Sequence, residues 1–176
     1  MVSHLASEAT MSDTALTPEK AEEEFWKHLK SSQTGMLGLD RPGYHSQPMT
    51  AFGEPETGTL WIFTRNDTDL AGDVATAQDA MFTYVSKDQD VFACIQGQLS
   101  IDNDRARIEE YWNPVVAAWY PEGKDDPHLT LLRFDAGDGR VWIADKGAIG
   151  FFYEIAKANL TKTTPDAGGV VDVNLA

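Results

Sequence analysis

Residues 44–65, YHSQPMTAFGEPETGTLWIFTR, constrain the fold more than any other stretch of the chain. Two strand-like runs, 44–53 and 59–65, flank a turn rich in Gly, Pro and Glu, the pattern of a β-hairpin. Pro48 cannot donate to a ladder, so the first run belongs at an edge, at a bulge or against a ligand. The second run carries Trp61 and Phe63 on one face and opens into Thr64-Arg65-Asn66-Asp67-Thr68. Hydroxyls, an amide and a guanidinium at a strand-to-helix junction make a candidate anion cradle. The plainer reading is an ordinary hairpin, with Arg65 a solvated turn residue and Thr64 and Thr68 caps of the next helix.

The remaining pattern surrounds that hairpin with more strands and a few helices. Thr17-Pro18 reads as a helix cap, and Ala21, Phe25 and Leu29 continue an amphipathic helix to about Lys30. A first strand is expected over 34–40, a helix over 68–78 with Leu70, Val74 and Ala77 inward, and a strand over 80–86. Residues 91–101 alternate: Val91, Ala93, Ile95, Leu99 and Ile101 share one face, with Gln96, Gln98 and Ser100 opposite. Cys94 falls on that polar face and reads as structural. A long helix opened by Asp102 or Asn103 carries the stripe Ile108, Tyr111, Trp112, Val115, Val116 and Trp119, broken by Pro114. A hairpin is expected from 129–134 and 141–144 around Ala136-Gly137-Asp138-Gly139. A last helix spans 147–159, with Ala148, Phe151, Phe152 and Ile155 inward. Residues 1–16 and 161–176 read as a disordered lead and tail around one domain, 17–160. About seven strands joined mostly by hairpins predict a mainly β fold, a nearly closed antiparallel barrel with helical lids.

Charge narrows the function classes. The chain has 28 acidic against 14 basic residues, a net charge of −14, which disfavours nucleic acid and anionic membranes as partners. No apolar run reaches the roughly 18 residues of a membrane span. The start lacks the basic and apolar blocks of a signal peptide, and Met11 reads as an alternative start. A single cysteine excludes an internal disulfide and fits a reducing cytoplasm. The four histidines, His4, His28, His45 and His128, show no metal-ligand spacing, and Asp125, Asp126 and His128 read as turn residues. There is no nucleophile elbow, P-loop or dinucleotide glycine fingerprint.

Several separate pieces, in order and spacing, carry a resemblance: HSQPM, GTLWIFT, VFACIQGQLSIDNDRARIEEYW, AWYPEGKDDPHLTLL and VWIAD. Together the chain over about 18–145 resembles the pyridoxamine 5′-phosphate oxidase-like, FMN-binding split-barrel proteins, in particular the bacterial general stress protein group. The resemblance implies a Greek-key split barrel that forms a homodimer, with FMN, or alternatively FAD, in clefts at the subunit interface. It implies that Ser46, Gln47, Pro48 and Met49 run beside the flavin ring and ribityl chain. Phe63 and Thr64 are then near the ribityl phosphate, the loop from Arg65 through Thr68 to Asp69 closes over it, and Trp119 of the partner subunit walls the flavin. Two positions depart from the family pattern, which commonly has Arg at Gln47 and a phosphate-binding Lys at Leu70. Arg65 is the candidate replacement cation. Without a basic cluster for a second phosphate, vitamin B6 oxidase activity is not expected. The implied chemistry is flavin redox, with NAD(P)H or another small donor. The alternative is a non-enzymatic ligand-binding or interaction barrel with little flavin affinity. Haem handling, known in related barrels, lacks a histidine-rich loop here.

Overall fold

The computed structural model describes residues 16–144, 147–164 and 168–176, with the side chains of 147–152 left outside the described set. Helix α1 (Pro18–Ser31) starts where the sequence places it, with the Thr17 hydroxyl accepting from the Lys20 amide and proline in the first turn. Its Ala21, Phe25 and Leu29 are buried, because their spacing puts them on one helix face.

That face plugs a curled antiparallel sheet. The strands are β1 (Thr34–Leu39), β2 (Gln47–Thr50), β3 (Phe52–Glu54), β4 (Thr59–Arg65), β5 (Gln78–Val85), β6 (Val91–Ile101), β7 (Leu129–Ile143) and β8 (Gly169–Asn174). Their order is β2-β1-β5-β6-β7-β4-β3, with β8 paired to β7. The result is a half-barrel with a few helices, a split barrel. Its core holds Leu37, Phe82, Ile95, Leu99, Leu132 and Phe134 against Phe25 and Leu29 of α1. The alternation of β6 holds as far as Leu99, but Ile101 is exposed at the strand end.

The structure corrects several expectations. The run 44–53 does not pair with 59–65 as one hairpin. It splits at buried Ala51, whose amide donates to the Gln33 carbonyl; β2 then pairs with β1 while β3 alone pairs with β4. Pro48 does lie on the edge strand, where its missing N–H is tolerated. The helix expected over 68–78 is only α2 (Asp69–Asp73), capped by Thr68, and Ala77 is exposed because the chain already turns toward β5. The long second helix is divided at Pro114, as expected, into α3 (Arg105–Tyr111) and α4 (Pro114–Ala117). Asp104 rather than Asp102 or Asn103 caps α3, because the Asp102 amide and the Asn103 side chain are bound to the Leu131 backbone.

The hairpin expected around 136–139 is a single strand, β7. Its first half pairs with β4 and its second with β8, so both halves have partners without a reversal. The glycines are absorbed as a bulge: Ile95 faces Gly139 while Gly97 faces Ala136, one residue extra on β7. The same switch orders the tail. Residues 169–174 form β8, and the Leu175 amide donates to the Gly137 carbonyl, so the expectation of disorder over 161–176 fails there. Alternating Val171, Val173 and Leu175 pack on the core, which is the physical reason. Leu16, assigned to the lead, also packs against the core, while residues 1–15 lie outside the described set. The final helix is α5 (Gly147–Thr161), with Ile155 half-buried; Ala148, Phe151 and Phe152 lie outside the described side chains. Among the described residues no helix is long and apolar enough to cross a membrane.

Gly58 ties the tail to the barrel. It closes the turn before β4 with φ +61°, and a Cβ there would overlap the Leu175 carbonyl oxygen. Gly58→Ala is expected to unseat β8. Amide exchange over 169–174 should quicken while β5 and β6 stay protected; unchanged exchange over 169–174 would refute the contact.

Candidate functional site

Between β2, the end of β4 and α4 lies a cleft of about 620 Å³. Its apolar side is formed by Met49, Phe52, Phe63, Val115, Val116 and Trp119. Its polar end is Thr64, Arg65 and Thr68, with Gln33, Thr34 and Asn113 along the rim.

Sheet register and ring packing make the walls rigid. Phe63 is held in β4 opposite Leu131, edge-on to Phe52 at 5.9 Å and to Trp112 at 6.2 Å. Phe52 stacks on Tyr111 at 5.1 Å. Behind that wall Glu54 accepts from the Tyr111 hydroxyl at 3.0 Å and pairs with Arg107 at 2.8 Å. Burial, reinforced by Glu54, raises the Tyr111 phenol well above its ordinary value. Tyr120 forms the floor: it is buried and donates to the Thr64 carbonyl at 2.7 Å. Burial pushes its pKa up to about 12, so it remains a neutral donor across the physiological range.

The polar end is already internally bonded. Thr68 Oγ1 donates to the Arg65 carbonyl at 2.8 Å and accepts from the Ala71 amide at 3.3 Å. Thr64 Oγ1 lies 3.4 Å from Thr68 Oγ1. Arg65 is the one cation among the lining residues, and it is engaged: its Nε and Nη2 bond to Asp67 at 3.0 and 2.7 Å. That pair raises the guanidinium further and holds the Asp67 carboxyl below its usual range.

Of the ten residues nominated from the sequence, Pro48, Met49, Phe63, Thr64, Arg65, Thr68 and Trp119 line this cleft. Ser46, Gln47 and Asp69 do not. Ser46 is exposed and sits against Gly38, Gln47 pairs with Leu37 in the ladder, and Asp69 lines a neighbouring recess with Arg41, Tyr44 and Asp73. Trp119 lies within one chain beside Phe63 and Thr64, and it is 70% exposed, so the apolar stripe read through it is not core in this chain. Val115 is 72% exposed for the same reason, whereas Trp112 packs in the second core cluster. Leu70 is buried, so its position puts no polar group in the cleft. His45 is exposed and does not line it. Asp125 and Asp126 hold the loop instead, through Arg105 and through the Glu122 and His128 amides. Cys94 is half-buried, its thiol 3.2 Å from the Met81 sulfur and raised by burial, as a structural cysteine should be.

Sequence reasoning missed Tyr120, Val115, Val116 and the Asp67 clamp. Tyr120-Pro121 follows an apolar helix and could have signalled a buried hydroxyl. The clamp left no such signal, because its two members read as solvated turn residues.

A curled antiparallel sheet with an apolar cleft ending in hydroxyls and one guanidinium places the chain in the split-barrel class. Comparison with known proteins places the chain more narrowly. A sequence profile for the family described as Pyridoxamine 5′-phosphate oxidase like matches residues 20–166, and the chain belongs to that family. A solved structure described as a general stress protein 26 from Jannaschia sp. CCS1 is 37% identical, with TM-score 0.76 over 86% of this chain and 96% of that one. The general stress FMN/FAD binding protein of Xanthomonas citri is 43% identical, with TM-score 0.66 over 71% of this chain and 89% of that one. Protein bli-3 of Neurospora crassa is 19% identical over 85% of this chain and 77% of that protein.

Proposed function

We propose that this chain is an FMN-binding flavoprotein of the general stress type, with the flavin held in the cleft at a homodimer interface in the cytoplasm. The observation that carries the reading is that seven of the ten nominated residues line one cleft, apolar along its length and hydroxyl-rich with one cation at its end. The donor set fits a flavin phosphate ester: a flat apolar slot for the ring, then Thr64, Thr68 and Arg65 for the phosphate. The volume of about 620 Å³ is in the range of small-molecule sites. The description of the Xanthomonas citri protein as FMN/FAD binding supports the same reading.

A bound flavin would supply hydride and electron transfer, with NAD(P)H or another small donor as reductant. Met49, Phe63 and Trp119 would hold the ring and keep water off it, and Thr64, Arg65 and Thr68 would hold its phosphate. Homodimerisation is supported by exposed Val115 and Trp119 at the cleft rim. A second exposed apolar row, Val85, Phe92, Trp142 and Val170, crosses four strands in register. With one cation in the cleft, a second phosphate has no partner, so pyridoxamine phosphate oxidation is not part of the proposal.

Titration of purified protein with FMN, FAD and pyridoxal phosphate, followed by NAD(P)H oxidation, tests this reading. Saturable quenching of FMN fluorescence supports it; colourless protein that quenches no flavin would overturn it. That second result would favour a ligand-binding barrel with little flavin affinity, for which the Arg65–Asp67 pair is the supporting feature. Trp119→Ala is expected to lower FMN affinity about tenfold and also to weaken the dimer, because the ring serves both. Binding measured at several protein concentrations separates the two effects, and no change in either would remove Trp119 from the site.

A further inference from the structure

Resting on the flavin reading, we infer that Asp67 is an internal competitor for the cofactor's phosphate, and that His128 is the group that receives Asp67 when Arg65 turns to that phosphate. Arg65 is the one cation lining the cleft, yet both donors on one edge of its guanidinium are spent on Asp67, at 3.0 and 2.7 Å. A carboxylate held in this bidentate way presents two oxygens in the geometry a phosphate would use. The chain therefore carries its own anion on the guanidinium that an incoming anion would use, with Asp67 bordering the neighbouring recess rather than the cleft itself.

Beside Asp67 stands His128, its Nδ1 3.7 Å from Asp67 Oδ2, the oxygen that Arg65 Nη2 also holds, and 3.3 Å from Asn66 Oδ1. Its backbone amide is fixed by Asp126 at 2.9 Å, and the Asn66 amide donates to its carbonyl at 3.0 Å. The imidazole is thus anchored from the α4–β7 loop onto the loop after β4. The charged groups facing it are Asp67, Asp126 and, beyond Asp67, Arg65. In the inferred exchange Asp67 leaves Arg65 and pairs with His128, whose Nδ1 is already 3.7 Å from Asp67 Oδ2. Arg65, Asp67 and His128 are all at least one-third exposed, so the clamp is a weak pair that a doubly charged phosphate can displace. Asp67 is a positioning residue in this scheme, acting on the ligand through Arg65.

The effect must appear with FMN and be absent with riboflavin, which has the same ring and no phosphate. Asp67→Asn keeps the size of the side chain and removes its charge. It is expected to tighten FMN about fivefold, the scale of freeing one exposed pair and removing one like charge, while riboflavin affinity stays the same. In an Arg65→Ala background the gain from Asp67→Asn should shrink to the smaller part that like-charge relief alone supplies, because the freed guanidinium is gone. His128→Gln should weaken FMN severalfold in otherwise unaltered protein and have little effect beside Asp67→Asn.

An unchanged ratio of FMN to riboflavin affinity in Asp67→Asn would overturn the inference. So would a gain that persists at full size without Arg65. Failure of both flavins to bind unaltered protein would instead sink the flavin reading. Titration of unaltered protein and of Asp67→Asn with inorganic phosphate, read from the Arg65 Nε–H resonance, would then decide the role of Asp67 separately.

Discussion

Arg65→Ala should reduce FMN affinity about 10- to 100-fold, the range expected when a charge-assisted contact to a phosphate is removed. The size follows from scarcity. The position read as the family's lysine is Leu70, buried in the core, and the position read as its arginine is Gln47, which does not line the cleft. Thr64 and Thr68 remain, but Thr68 already caps α2 and donates to the Arg65 carbonyl, so their hydroxyls offer little beyond neutral hydrogen bonds. Fluorescence titration with FMN and with riboflavin checks the prediction. FMN should lose affinity in the variant and riboflavin should not. An FMN dissociation constant that stays the same would take Arg65 out of the site and leave backbone amides as the phosphate's partners.

Phe134→Ala should cost about 3–5 kcal/mol of folding stability, the usual range for deleting a buried aromatic ring. Phe134 is 0% exposed and sits at the crossing of three strands, facing Leu60 of β4 on one side and Leu99 of β6 on the other. Its ring lies 6.4 Å from that of Phe82 and fills the space left by the missing side chain of Gly97, where a Cβ would overlap it. Leu37, Phe82 and Leu132 belong to a sheet pinned by its ladders, so they can relax into the cavity only in part. Thermal unfolding at fixed protein concentration should show a midpoint lower by about 10 °C or more. A loss under about 1 kcal/mol, well short of the range for such deletions, would mean the core closes over the gap. The prediction touches function as well, because β4 carries Phe63, Thr64 and Arg65 into the cleft from the strand that Phe134 supports.

Local patterns were legible wherever one chemical preference acted on adjacent residues. Thr17-Pro18 announced the start of α1, the alternation from Val91 announced β6, and Pro114 announced the division between α3 and α4. The hairpin expected around Ala136-Gly137-Asp138-Gly139 shows the limit of such reading. Glycine signals a turn or a bulge equally well, and the choice fell to β8, which lies about 30 residues later and pairs with the second half of β7. The same pairing orders residues 169–174, in a tail that read as disordered. Of the site, the residues on β2 and β4 could be nominated from the sequence. Tyr120 and the Asp67 clamp could not, because their roles depend on contacts to Thr64 and Arg65 made across loops.

By itself the sequence determined the strand-rich character of the chain, its family, its shortage of cations near the expected phosphate and the identity of Arg65 as the remaining one. Only the tertiary structure decided that β7 runs unbroken, that Trp119 reaches the cleft within its own chain, and that Asp67 holds Arg65. Periodicity and capping are set by neighbours along the chain, whereas strand partners and ion pairs are chosen among groups far apart in sequence by which of them fit together when the sheet curls.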